Sequence, residues 1–236
     1  MHTTHPTPHL TRIERRFPFS TNVYLVHERH ELTLIDTGLP GTAHAILRAA
    51  HALGAPITRI VLTHAHADHT GSLDELKARL PHAEVSVGTR EARLLAGERT
   101  LDADEPRDRL RGGYTRPATR PDRLLDPGDR VGSLEVIAAP GHTPGSLAFL
   151  DTRDGTLVAG DAYVTQGGLH ASGMLRLAFP ISPLVTYHKP LALATARRLR
   201  DLHPARLAVG HGPVLDRPGD AMSRVVDAYE RALSRA

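Results

Sequence analysis

The sequence predicts a mixed α/β fold in which helices cover stacked β-sheets. Strand-like runs come first in a hairpin and later alternate with helical patterns, which suits packed layers better than one doubly wound parallel sheet. The chain has 236 residues, of which 40% are hydrophobic and 23% are charged, so we expect one globular domain over residues 1–236. It has no cysteine, so any metal must be bound by histidine and carboxylate side chains.

The first half begins with a polar lead and a predicted hairpin formed by residues 23–26 and 32–35. Apolar residues at helical spacing predict a helix over 42–53, which Gly54 ends, and residues 59–62 form a buried strand. The remaining elements of this half are a helix opened by a capping box over 72–75, a strand over 85–87 and a helix over 89–96.

The second half contains strands, helices and two irregular segments. Residues 99–126 and 162–188 are rich in turn formers, and their length predicts loops at the rim of an active site. The regular elements are strands over 134–139, 147–151, 156–159 and 206–209 and helices over 190–202 and 218–234.

The composition also bounds the partners and the compartment. The first 20 residues lack the apolar stretch of a signal peptide, and the chain has no run of about 20 apolar residues, so we expect a cytoplasmic protein that does not enter a membrane. The net charge is only +3, and the seven arginines of residues 99–123 are mixed with five acidic residues, so no nucleic-acid partner is expected. The composition is also compatible with a homodimer.

The strongest chemical signal is the run Thr63-His64-Ala65-His66-Ala67-Asp68-His69, which directly follows a predicted strand. Residues two apart in an extended turn point the same way, so His64 and His66 can bind one metal while Asp68 and His69 face a second. A surface turn rich in histidine by chance does not account for four potential ligands at this spacing.

Three further candidates lie at predicted strand ends beside glycine: His142 in Pro140–Gly145, Asp161 and His211. Each alone is more typical of an ordinary turn, but together with the histidine run they complete a two-metal set.

These motifs resemble the metallo-β-lactamase-fold hydrolase superfamily, whose signature His-x-His-x-Asp-His is followed by separate His, Asp and His ligands. The resemblance extends from the Asp36-Thr37-Gly38 turn to His211. It implies a four-layer αββα sandwich with the metal site at one edge of the two sheets. It also implies that His64, His66 and His142 hold the first metal, that Asp68, His69 and His211 hold the second, and that Asp161 bridges them.

The chemistry so implied is metal-assisted hydrolysis by a hydroxide that bridges two Zn²⁺ ions, although Fe²⁺ or Mn²⁺ would also suit this ligand set. Asp68 is the candidate catalytic residue that orients the hydroxide or protonates the leaving group. Asp36 is either a hydrogen-bond acceptor for a ligand histidine or an ordinary turn carboxylate.

The substrate is expected to be a small lactone, ester or thioester. The chain lacks the cysteine ligand of several true β-lactamases, and too few residues follow His211 for the helical domain of glyoxalase-II-type thioesterases. Residues 162–188 should overhang the metals and offer Tyr163, Gln166 and Phe179 to the substrate, whereas further metal ligands are not expected there. Two alternatives remain, a mononuclear-iron sulfur dioxygenase and a nucleic-acid phosphodiesterase of the same fold.

Overall fold

Two β-sheets form the frame of the protein, and the computed structural model describes residues 1–17 and 19–235. In the first sheet the strands follow one another in chain order, with antiparallel pairing from β1 to β4 and parallel pairing from β4 to β7. Its strands are β1 (His2–Thr7), β2 (Leu10–Arg15), β3 (Thr21–His27), β4 (Leu32–Ile35), β5 (Ile57–Leu62), β6 (Glu84–Gly88) and β7 (Arg123–Leu125).

The second sheet has the order β15-β14-β11-β10-β9-β8, and only its β11–β14 pair is parallel. Its strands are β8 (Arg130–Val131), β9 (Leu134–Ala138), β10 (Leu147–Asp151), β11 (Thr156–Val158), β14 (Arg206–Ala208) and β15 (Leu215–Asp216). A short antiparallel ribbon, β12 (Tyr163–Val164) with β13 (His170–Ala171), lies outside both sheets.

Seven helices complete the structure in the described part of the chain. They are α1 (Ala43–Leu53), α2 (Ala67–Thr70), α3 (Leu73–Arg79), α4 (Thr89–Leu95), α5 (Ser182–Val185), α6 (Lys189–Asp201) and α7 (Gly219–Leu233). None of them combines the length and the apolar character needed to cross a lipid bilayer.

The side chains of successive strand residues point to opposite faces, and this alternation creates the layers. In β5, Ile60 and Leu62 pack with α1, α3 and α4 on the outer face of the first sheet. Val61 instead packs between the two sheets, where it shares a core with Phe149 of β10. Because α6 and α7 cover the outer face of the second sheet, the predicted αββα sandwich is confirmed.

The structure differs from the sequence prediction at several places. The polar lead forms strands β1 and β2, because Leu10 packs in the core between the two sheets and Ile13 packs in the core on the outer face of the first sheet. The predicted capping box does not form: the Ser72 hydroxyl donates to the Leu39 carbonyl and accepts from the Thr42 amide, which ties α3 to the start of α1. Residues 162–188 contain β12, β13 and α5 rather than one irregular loop, and the predicted loop 99–126 ends in β7, which pairs with β6.

The sheet topology brings the chemically rich turns to one edge. Strands β4 and β5 are parallel neighbours, so Asp36 and the histidine run follow strands that end at the same side. In the second sheet β9 and β11 are both antiparallel to β10, and β11 is parallel to β14. The turns after β9, β11 and β14, which carry His142, Asp161 and His211, therefore also share one edge.

Candidate metal site

The seven predicted ligands lie together at this edge. Three groups have ligand atoms within 4.8 Å of one another: His64 with His66 and His142, His64 with His69 and Asp161, and Asp68 with His69 and His211. The first and third groups match the two ligand sets that the family resemblance implies.

Asp161 lies between the two sets. Its Oδ2 is 3.0 Å from Nε2 of His211 and 3.4 Å from Nε2 of His142, whereas its Oδ1 is 3.3 Å from Nε2 of His69. The carboxylate is therefore within reach of ligands from both sets.

Each of the five imidazoles has one ring nitrogen held by an acceptor of the protein. The pairs are His64 Nδ1 with Thr63 Oγ1, His66 Nε2 with the Arg111 carbonyl, His69 Nδ1 with Asp36 Oδ2, His142 Nδ1 with Ser172 Oγ, and His211 Nδ1 with the Ser20 carbonyl. The held nitrogen can carry the ring proton, and the other nitrogen of each ring faces the ligand cluster, where a cation can bind it.

The hydroxyl partners have their hydrogens committed elsewhere, which settles the direction of two of these bonds. The Thr63 hydroxyl donates to Asp36 at 2.7 Å, so it can only accept from His64. The Thr186 hydroxyl donates to the Ser182 carbonyl, so Ser172 donates to Thr186 and accepts from His142. Asp36, which has a left-handed backbone with φ of 61°, also accepts from the Thr63 amide and from His69.

Several inward-facing atoms have no partner within residues 1–17 and 19–235. Nε2 of His64, Nε2 of His69 and Oδ1 of Asp161 are buried and make no hydrogen bond. Buried polar atoms without a partner are costly, so their convergence on one place calls for a ligand. The donor set of imidazole nitrogens and carboxylate oxygens fits a divalent transition metal.

The two ligand sets differ in their electrostatics. Burial lowers the pKa of His64 well below its ordinary value and lowers that of His142 to about 3, so the first set is made of neutral imidazoles. Burial lowers the pKa of His69 and of His211, but nearby carboxylates outweigh it. Asp161, Asp36 and Asp68 raise the pKa of His69 well above its ordinary value, and Asp161 and Asp68 raise that of His211 to about 10. The carboxylates therefore make the second set attractive to a positive charge, which a bound cation would supply in place of the imidazole protons.

A cavity of about 230 Å³ opens onto the site. His66, Asp68, His142, Asp161 and His211 form its floor. Its walls are mainly apolar and include Phe19, Leu39, Val164, Phe179, Ile181 and Val185. No lysine or arginine side chain lines it within the described residues.

Of the three residues predicted to contact the substrate, only Phe179 lines this cavity. Tyr163 is fully buried in the core beneath α6 and α7, where its hydroxyl donates to the Ala196 carbonyl. The Gln166 side chain accepts from the Ser20 amide, so it supports the segment that holds His211. The structure thus places neither Tyr163 nor Gln166 in the lining of the cavity, which differs from the sequence prediction. Tyr163 lies in a two-residue strand and points into the core. Its polar hydroxyl makes it look like a surface residue in the sequence, although the hydroxyl has a buried partner.

The sequence prediction missed the role of residues 111–114. The carbonyls of Arg111 and Gly113 accept from His66 Nε2 and from the Ala67 amide, at 2.9 and 2.8 Å, and the Tyr114 ring packs against His66. The guanidinium of Arg99 stacks over Tyr114, with 4.5 Å between Cζ and the ring centroid. Backbone carbonyls have no sequence signature, so no pattern could have revealed these contacts.

Two other histidines of residues 162–188 have different roles. His188 caps α6, because its Nδ1 accepts from the Leu191 amide. His170 is buried, and its Nδ1 donates to the Gly168 carbonyl. Neither belongs to a ligand group found in the described chain.

Comparison with known proteins places this geometry in a family. The family model of the metallo-beta-lactamase superfamily matches residues 16–211. The chain is 46% identical over 214 residues to the uncharacterized protein YobT of Bacillus subtilis (strain 168), covering 90% of this chain and 92% of that protein. It is 28% identical over 214 residues to the probable metallo-hydrolase YflN of the same organism, covering 81% and 80% of the two chains.

A solved structure gives the same assignment. The crystal structure of TTHA1623 in a di-iron-bound form superposes with a TM-score of 0.67 and 26% identity, covering 89% of this chain and 96% of that one. The family match spans most of this chain and contains all seven clustered ligands. The chain therefore belongs to the metallo-beta-lactamase superfamily.

Proposed function

We propose that this protein is a dinuclear metal-dependent hydrolase of small lactones and esters, with thioesters as second-choice substrates. The observation that carries the proposal is the orientation of the five imidazoles. Each has one nitrogen held by the protein and the other turned toward the cluster that contains Asp68 and Asp161. A set with this many preoriented ligands exceeds the four that a closed structural zinc site needs.

The chain's own residues supply the positioning and the proton transfer. Two divalent cations, for which Zn²⁺ is our choice, would supply an activated water as nucleophile and an electrophile for the carbonyl oxygen. The Asp68 side chain is 21% exposed to the cavity, whereas that of Asp161 is 6% exposed. Asp68 can therefore orient the attacking water and pass a proton to the leaving oxygen, while Asp161 stays within the cluster.

The cavity supports a neutral substrate with an apolar group. Phe179 lies 4.9 Å from the ring of His211, and Phe19 lies 5.5 Å from it, both measured between ring centroids. An acyl chain beside these rings would bring its carbonyl to the ligand cluster. With no basic side chain lining the described walls, a phosphodiester would lack a charged partner.

Elemental analysis of the purified protein tests the metal part of the proposal. We expect close to two transition-metal ions per chain, and chelation should abolish hydrolysis while leaving most of the fold. A value near one iron, accompanied by oxygen uptake, would replace the hydrolase by the sulfur dioxygenase.

A substrate panel tests the chemical class. It compares homoserine lactones of several chain lengths, aryl esters, a glutathione thioester, a bis-aryl phosphate and a cephalosporin. We expect the lactones and esters to be hydrolysed best. A clear preference for the phosphate or for the cephalosporin would refute the proposed substrate class and leave the metal site intact.

A further inference from the structure

A buried glutamate on α4 connects the two turns that carry the first ligand set. Glu91 is fully buried, and its side chain reaches out of α4 toward the edge that holds the site. Its Oε2 accepts from the Ala65 amide at 2.7 Å. Its Oε1 accepts from the Thr143 hydroxyl at 2.7 Å and from the Gly145 amide at 2.9 Å.

The residues that Glu91 contacts are next to the ligands in the sequence or close to them. Ala65 separates His64 from His66, and Thr143 directly follows His142. The Glu91 carboxylate therefore joins the turn after β5 to the turn after β9.

The turn is shaped to bring its donors to Glu91. A Cβ on Gly145 would lie 2.5 Å from the Cβ of Arg90, so only glycine lets this backbone approach α4 closely enough. The Thr143 hydroxyl donates its hydrogen to Glu91, so it accepts from the Ser146 hydroxyl, which lies 2.6 Å away. The Ser146 hydroxyl in turn accepts from the Thr143 amide. Thr143 and Gly145 therefore link the turn that carries His142 to α4 through their hydrogen bonds to Glu91.

All three partners of Glu91 are donors, so the side chain must be an acceptor at both oxygens. No salt bridge to Glu91 is found among the described residues, so these three hydrogen bonds are its direct polar contacts. An amide cannot replace it, because in either orientation its NH₂ group would face a donor. A buried carboxylate is costly, and its retention at this place points to a role that an apolar side chain could not fill.

We infer that Glu91 is a positioning residue that sets the spacing of His64, His66 and His142 through the backbone turns that carry them. The inference rests on the proposed metal site and adds a residue outside the ligands and their hydrogen-bond acceptors. Partners of this kind typically contribute 10- to 100-fold to metal affinity, and we expect about that range here.

The test is a Co²⁺ titration of metal-free protein, followed by visible absorption and by chelator competition. Glu91→Gln should weaken one of two Co²⁺ ions by about 10- to 100-fold and change its spectrum. The matched control is Asp151→Asn, because Asp151 is also a buried carboxylate but binds Arg153 at the far end of β10, ~13 Å along the strand from Leu147. The control should lower the melting temperature without changing either Co²⁺ affinity.

Equal Co²⁺ affinities and spectra for wild type and Glu91→Gln would overturn the inference, even if the variant melts at a lower temperature. If Glu91→Gln does not fold, Thr143→Val decides, because it removes one donor and keeps the side-chain shape. It should weaken the same ion several-fold, and unchanged binding would overturn the inference. Failure of the wild type to bind Co²⁺ would instead overturn the proposed function, and the inference with it.

Discussion

Replacing Gly112 by alanine should loosen the metal site without unfolding the protein. Gly112 has a φ of 84°, and a Cβ at this position would lie 2.3 Å from Nε2 of His66. Carbon atoms pack at about 3.5–4.0 Å, so the 111–113 backbone would have to retreat by ~1 Å or more. The bond from His66 to the Arg111 carbonyl, now 2.9 Å, would then stretch to ~3.9 Å and be lost.

The expected magnitude has two parts. The left-handed backbone costs alanine about 1–2 kcal/mol, which corresponds to ~2–8 °C in melting temperature for a chain of this size. Loss of the acceptor leaves the His66 ring free to rotate or to change tautomer, so metal affinity should fall by about 10- to 100-fold. The assay is chelator competition for Zn²⁺ or Co²⁺, together with thermal melting of the metal-free protein.

Two other glycines provide controls. Gly128→Ala introduces the same kind of strain, since φ is 95°, but its Cβ would meet no atom within 4 Å. Gly113→Ala would meet no atom either and carries no positive φ. Metal affinity of Gly112→Ala equal to that of Gly128→Ala would refute the reasoning, because the strain alone would then explain every change.

Three further predictions concern the cavity, the proton transfer and the stability. Phe179→Ala should raise KM for long-chain lactones by roughly tenfold or more at unchanged metal content, because it removes a buried apolar wall; equal KM values would contradict this. Asp68→Asn should reduce kcat by about 100-fold or more at near-native melting temperature, and near-wild-type turnover would show that another group moves the proton. Burial raises the pKa of Glu14, but hydrogen bonds from Arg16 and Ser20 and the charge of Arg12 outweigh it, and the net pKa is lowered. Its stabilisation is therefore present above the unfolded pKa of ~4.3 and is lost as pH falls through the lower folded pKa. Glu14→Gln should melt below wild type at pH 7, and the difference should shrink as the pH is lowered below the unfolded pKa.

The layers of the fold could be predicted, because alternating apolar residues and turn glycines are local signals. Strand β5 and helix α1 follow directly from such patterns, and Gly54 has the left-handed backbone that ends α1. Strand β1 could not, since its residues are mostly threonine and histidine and it becomes a strand only by pairing with β2.

The candidate site shows the same division. The histidine run and the three later turns stand out by residue type and spacing, and the structure brings them together. The groups that orient them are ordinary residues far away in sequence, such as Ser172 beside His142 and the Arg111 carbonyl beside His66. Their role depends on three-dimensional contact, and nothing in their own sequence neighbourhood distinguishes them from other loop residues.

The ligands come from both halves of the sandwich, and this has a consequence for how the protein comes apart. Each ligand set takes two residues from the turn after β5 and one from a turn of the second sheet, His142 or His211. A bound cation would therefore cross-link the two sheets at one end of their shared core. At free ion concentrations 100 times the Kd, each ion adds about 2.7 kcal/mol to the folded state. Removing the ions removes this cross-link. Amide hydrogen exchange should then accelerate first in the 63–71 and 139–146 turns, while the opposite end of the sandwich keeps its protection.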